Sequence, residues 1–303
     1  MIAASAAQQE IHAMCDDFTA TEEEAALAAA GLTRREFATT GGAAALAGCA
    51  GAGSDLASLA MSERGVTFTT ADGLADGFFV HPAKGKHPGI VMWPDVAGLR
   101  DAYKVMARRL AGAGYAVLVI NHYYRSSPAP ILNSIAEWRT PEGQAKLGPM
   151  IAQITPAGTS RDAQAAIAFL DAQTAVNPKR GIGTCGYCMG GAYAVRTAAA
   201  VPGRVRAAAS FHGGGLVGET PDSPSKLLAA TKASFLFAIA RNDDAGAPGE
   251  KDALRAAADA AGRPAEIEVY AANHGWCTVD APVYNKSEAD RAWNRMLELF
   301  GKV

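Results

Sequence analysis

The sequence predicts an α/β protein with a mainly parallel, doubly wound sheet flanked by helices. From about Val66 onward, β-rich apolar runs alternate with helical ones, the pattern of a sheet covered on both faces. The later runs are almost continuously apolar, as in parallel strands buried on both sides. A chain of 303 residues that is 49% hydrophobic also has enough apolar side chain for one large core.

The elements follow in order. "VTFTT" at Val66–Thr70 and "DGFFVHP" at Asp76–Pro82 read as an opening hairpin. "HPGIVMWPD", "GYAVLVINHYY", "RGIGTCGY", "RVRAAASFHG", "ASFLFAIARND" and "AEIEVYAANHG" read as core strands. Amphipathic segments at Leu99–Ala113, Ser160–Gln173, Met189–Ala200, Gly249–Ala261 and Tyr284–Phe300 supply the flanking helices. Arg125 to Thr159, rich in Pro, Gly, Ser and Gln, has little periodicity and is long for a loop, so it is a candidate cap over a site. No internal repeat is present.

Charge and cysteine usage narrow the function classes. The formal net charge is −2, and no Lys/Arg run is long enough to track a phosphate backbone, which argues against a nucleic-acid partner. The five cysteines, Cys15, Cys49, Cys185, Cys188 and Cys277, are too scattered for a disulfide framework. No second Cys/His pair offers zinc spacing, so neither metal nor cofactor is expected.

The chemistry concentrates in "GYCMGG". Gly186-Tyr187-Cys188-Met189-Gly190 follows a strand and opens a helix, a G-x-C-x-G version of the nucleophile elbow. The flanking glycines allow the backbone to turn sharply, and the helix start favours a thiolate at Cys188. The Met189 N–H is placed to meet an oxyanion. Cys185 and Cys188 also have C-x-x-C spacing, which keeps a thiol–disulfide protein as an alternative, although Cys185 falls inside the apolar strand. A non-catalytic exported binding module is a third reading.

A thiol nucleophile needs a base and an orienting acid, expected later along the chain at strand ends. Asp243-Asp244 closes "FAIARNDD" and His274 closes "EVYAANHG", so Asp243 is the candidate acid and His274 the candidate base. Asp243 is preferred to Asp244 because it follows the strand more directly. His212 in "SFHGGG" is a rival base that precedes the acid, and it is read as pocket wall or structure.

"GYCMGG", "NDD", "NHGW" and "WPDVAGLRDAYKVMARRLAGAGYAVLVINHYYR" together resemble the dienelactone hydrolases, or carboxymethylenebutenolidases, cysteine members of the α/β-hydrolase fold. The resemblance runs from roughly Val66 to Phe300. It implies hydrolysis of a small ester or lactone through an acyl-cysteine, with Cys188, Asp243 and His274 as triad. It also implies Val96 N–H as the second oxyanion donor beside Met189. Where the family carries a Glu that contacts the resting cysteine, this chain has Asp95, which as a bare sequence feature also reads as a helix N-cap. "HGWCTVD" lacks the family's arginine after the histidine, leaving Arg125 and Arg139 as substitutes for gripping a substrate carboxylate. Trp93, Tyr123, Tyr124 and Trp276 are candidate pocket walls.

Residues 1–54 read differently from the rest. Thr33-Arg34-Arg35-Glu36-Phe37 resembles a twin-arginine export motif, and an uncharged Ala/Gly stretch follows it. Leu46-Ala47-Gly48-Cys49 resembles a lipobox, which implies membrane anchorage through lipid on Cys49. The expectation is an export signal and linker over 1–54, a hydrolase domain over 55–303 and a periplasmic location.

Overall fold

The computed structural model describes residues 60–303. The export-signal and Cys49 readings lie outside them. Eight strands form one sheet in the order β1-β2-β4-β3-β5-β6-β7-β8. They are β1 Met61–Thr70, β2 Gly73–Pro82, β3 Gly89–Trp93, β4 Ala116–Ile120, β5 Ile182–Tyr187, β6 Val205–Phe211, β7 Ser234–Ala240 and β8 Ala265–Tyr270. β1 and β2 are the expected hairpin, closed at Thr70↔Gly73. β2 pairs antiparallel with β4, and β3 to β8 are parallel.

Both faces of the parallel part are buried because the strand side chains alternate between two apolar layers. Ile90 and Met92 of β3 and Val117 and Val119 of β4 face one layer. Helices α1 (Asp101–Gly112) and α9 (Lys286–Phe300) cover it through Leu110, Met296 and Phe300. Val91, Trp93, Leu118 and Ile120 face the other layer. There α4 (Pro156–Asp171), α5 (Met189–Ala200) and α8 (Glu250–Ala261) supply Ile167, Tyr193 and Leu254. Near-continuous apolar strands are the sequence imprint of this double burial. No helix among the described residues is long and apolar enough to cross a membrane.

The segment expected to be an irregular cap instead contains α2 (Ile135–Trp138), α3 (Pro141–Ile151) and the start of α4. Two of its prolines initiate helices. Thr140 and Thr155 are N-caps whose side chains accept from Gly143 N and Gly158 N, and Pro141 and Pro156 follow in the first turn. Composition therefore misleads where the Thr-Pro order is the better signal. The short helix α6 (Pro224–Leu227) precedes β7, the strand read through Asp243 also ends early, at Ala240, and Arg241–Gly246 forms the short helix α7.

His122, just past β4, is buried, and neither ring nitrogen has a hydrogen-bond partner. Burial first, and the Arg100 charge second, push its pKa down to about 3. The folded value lies below the unfolded one, so the unfolded chain binds the extra proton between these pH values and stability is lost as the pH is lowered through that window. His122→Phe should flatten the acid side of a urea-midpoint profile between about pH 4 and 6.5. The expected relief is about 1.4 kcal/mol per pH unit relative to wild type.

Candidate active site

The elbow is built by a backbone that only glycine permits on either side of the cysteine. Cys188 sits at φ 54, in the left-handed region, between β5 and α5. A Cβ on Gly186 would lie 1.8 Å from Gly190 O, and one on Gly190 would lie 2.5 Å from the Trp93 and Pro94 carbonyls. Side chains at either position would therefore force the turn apart. Cys188 is 5% exposed and lines a small cavity of about 20 Å³ with Asp95, Val96, Trp138, Arg139, His212 and His274.

His274 lies past β8 on this sheet edge. Its Nδ1 is 2.8 and 3.1 Å from the two Asp243 carboxylate oxygens, and its backbone N–H donates to Asn242 Oδ1 at 2.8 Å. A carboxylate on Nδ1 places the ring proton there and leaves Nε2 as the basic nitrogen. Asp244 is engaged elsewhere, with Lys251 Nζ at 2.6 Å. Cys188 Sγ and one ring nitrogen each of His274 and His212 lie within 4.8 Å of one another.

That triangle is a spatial Cys/His cluster that sequence spacing does not reveal, and its composition invites a zinc reading. The His212 ring argues against it. The Cys188 N–H is shared between Phe211 O at 3.0 Å and His212 Nδ1 at 3.1 Å. Nδ1 is therefore an acceptor, so the neutral ring carries its proton on Nε2, and that nitrogen has no lone pair for a metal. Burial, reinforced by neighbouring His274, pushes the His212 pKa well below its ordinary value and keeps the ring neutral.

Among the described residues, neither Val96 N–H nor Met189 N–H donates to a protein acceptor, which leaves both amides available. Tyr123, a candidate pocket wall, instead braces this loop, donating to Val96 O at 2.8 Å. Asp95 is not the helix N-cap. Arg100 occupies that position, and both Asp95 oxygens bind its guanidinium, at 2.7 and 2.9 Å. Arg100 also grips Asp280 through two bonds of 2.7 and 2.8 Å, and Asp280 Oδ2 accepts from Ile135 N in α2.

Other candidates are placed elsewhere. Tyr124 and Arg125 both bind Asp162, and Arg125 also binds Asp72, so that arginine is committed to a structural ion pair. Trp93 is buried with its Nε1 donating to Thr197. Trp276 stacks on Tyr270 and packs edge-on against His212, behind the cavity wall. Arg139, at the end of α2, lines the cavity.

Sequence reasoning missed Arg100, Asp280 and Asn242. Arg100 did leave a signal, because a cation at a helix start opposes the helix dipole and needs a compensating anion.

Strand order and the elbow define an α/β hydrolase. The family model for the dienelactone hydrolase family matches residues 75–303, and the chain belongs to that family of ester and lactone hydrolases. A carboxymethylenebutenolidase-type protein of Methylorubrum extorquens is 27% identical over 235 residues, 76% of this chain and 77% of that one. The carboxymethylenebutenolidase of Pseudomonas putida is 32% identical over 157 residues, covering 52% of this chain and 63% of that enzyme, less than two thirds of its length. In fold, a dienelactone hydrolase-type protein of Klebsiella pneumoniae matches with a TM-score of 0.69 at 23% identity, over 80% of this chain and 100% of that one.

Arg100→Met should destabilise the protein by about 3–5 kcal/mol in denaturant unfolding, because Asp95 and Asp280 would be left buried without their cation. Arg108→Met, which removes a half-exposed pair with Glu63, should change stability by less than about 1 kcal/mol.

Proposed function

We propose that the protein opens a small ester or lactone through an acyl-cysteine on Cys188, with His274 as base and Asp243 as its orienting acid. The observation that carries this reading is the strained elbow cysteine within 4.8 Å of a histidine whose Nδ1 is held by a carboxylate.

The thiol proton passes from Cys188 to His274 Nε2 and the sulfur attacks the carbonyl carbon. Charge develops on the carbonyl oxygen, where Met189 N–H and Val96 N–H receive it. Collapse breaks the acyl C–O bond, and the His274 imidazolium returns the proton to the leaving oxygen. Water, deprotonated by His274, then cleaves the thioester and restores Cys188. In a lactone the leaving oxygen stays tethered to the acyl chain, so the ring opens on the enzyme. We assign Arg139 as the cavity residue that takes a carboxylate on the substrate, in place of the arginine missing after His274. Its place on the cavity wall supports this.

The thiol–disulfide reading finds little support in the position of Cys185. That residue packs in the layer under α1 and α9, and burial pushes its thiol pKa well up, the reverse of an activated thiol.

A lactone and chromogenic-ester panel tests the proposal. Cys188→Ala and His274→Ala should abolish turnover, and Cys188→Ser should lose orders of magnitude because a hydroxyl is much harder to deprotonate. Asp243→Asn should lose up to ~10⁴-fold with the fold retained, while Asp244→Asn should be mild. The reverse order for the two aspartates would move the acid to Asp244.

We also propose that the chain is exported by the twin-arginine route, on the motif at Arg34-Arg35. Replacing both arginines by lysine should trap the precursor in the cytoplasm, as read by cell fractionation. Normal periplasmic yield would overturn the export reading.

A further inference from the structure

Among the described residues, two that are not glycine adopt a left-handed backbone: Cys188 at φ 54 and His212 at φ 38. One is the proposed nucleophile, and the other faces it. A bulky residue is uncommon at such an angle, where glycine is free of strain, so the imidazole must be held there by its surroundings. His212 N–H donates to Ala238 O at 2.8 Å, and the ring Nδ1 accepts from Cys188 N–H at 3.1 Å. Both anchors fix the ring edge that carries Nε2.

That edge meets no acceptor among the described residues. His212 is 1% exposed and lines the cavity, and its Nε2 has no hydrogen-bond partner there. With Nδ1 used as acceptor, Nε2 is a buried N–H donor, and leaving such a donor unmet is costly. It cannot act as a base, because it already carries the proton. Its natural partner is therefore an acceptor that arrives with the substrate.

The cavity limits which acceptor that is. In the proposed step the carbonyl oxygen goes to the Val96 and Met189 amides. The oxygen that departs must lie one bond from the carbon on Sγ and within reach of His274 Nε2. The His212 ring stands 4.6 Å from the His274 ring, centroid to centroid, edge to face, within 4.8 Å of both reacting groups.

We propose that His212 Nε2–H is a second donor to the leaving oxygen, stabilising the negative charge that builds there as the acyl C–O bond breaks. The step balances without further reactants. The bonding pair goes to oxygen, the proton comes from His274, and His212 keeps its own proton throughout. Two donors on this oxygen fit the enzyme to substrates with poor leaving groups, such as unactivated alkyl esters and lactones. This inference rests on the acyl-cysteine reading above.

The test is a series of acetate esters with leaving groups running from nitrophenol through phenol to alkyl alcohols. His212→Asn is the informative variant, because asparagine tolerates the left-handed backbone and keeps an acceptor for Cys188 N–H while removing Nε2–H. Its kcat/KM should fall by at least about tenfold more for the alkyl ester than for the nitrophenyl ester, giving a steeper dependence on leaving-group pKa. A loss that is uniform across the series, or no loss, would overturn the proposal and leave His212 a structural wall. A second measurement needs no variant: ¹⁵N-histidine NMR of the wild-type enzyme should show His212 protonated at Nε2, and finding the proton on Nδ1 would also overturn it. Turnover that survives in Cys188→Ala would instead remove the acyl-cysteine reading, and that failure appears in a different variant.

Discussion

The working edge of the sheet depends on one buried cation. Arg100 is 1% exposed and lies between Asp95 and Asp280 with four short bonds, two to each carboxylate. Two carboxylates buried this close together would repel and desolvate each other without it. Through them the guanidinium joins three segments that are far apart in sequence. The β3–α1 loop carries the Val96 amide, the loop after β8 carries His274, and α2 forms the roof through Ile135. A planar fork makes both bidentate contacts at once, which a lysine ammonium cannot do. A shift in any one segment is therefore felt by the others, and the Val96 amide is held in register with His274.

The strain at the elbow is held by a different set of neighbours. Cys188 and His212 each occupy a backbone conformation that costs about 1–3 kcal/mol, and each is anchored to the next parallel strand. Cys188 N–H reaches Phe211 O at the end of β6, and His212 N–H reaches Ala238 O in β7. Both residues lie at strand ends on the carboxyl edge, so the ladder of β5, β6 and β7 fixes their positions from below. Core burial on both faces of the sheet thus maintains a geometry that a solvent-exposed loop could not hold.

Much of this was legible in the sequence because it follows from periodicity and local order. The six apolar runs became β3 to β8, and Met189–Ala200 became a helix with those bounds. The elbow glycines, Asp243 and His274 stand where strand ends were expected, and Asp243 reaches His274 although a helical turn intervenes. What sequence did not show were relations that form only in space. Arg100 and Asp280 are 180 positions apart, and no periodicity links them. In the cap segment the count of prolines suggests loop, while Pro141 and Pro156 each follow a threonine that marks a helix start. His212 was placed as wall or structure because chain order favours a base after the acid. Chain order says nothing about which ring nitrogen a neighbouring amide will occupy.

That ring nitrogen separates the two histidines. They stand 4.6 Å apart, and the Asp243 carboxylate lies on His274, while Asp95 on the same cavity is held by Arg100. In an acyl-transfer cycle one imidazole must gain a proton and lose it again, and a low-dielectric cavity holds a single positive charge far more readily than two. In the proposed cycle Asp243 stabilises that charge on His274. Among the described residues no carboxylate bonds to His212, which is more deeply buried and feels any His274 charge as repulsion, so its ring stays neutral. The Cys188 amide on its Nδ1 then prevents it from competing as a base. The neighbours of each ring thus suit His274 to the proposed base role and His212 to the proposed fixed-donor role, and the fold has no need to separate the two rings in space.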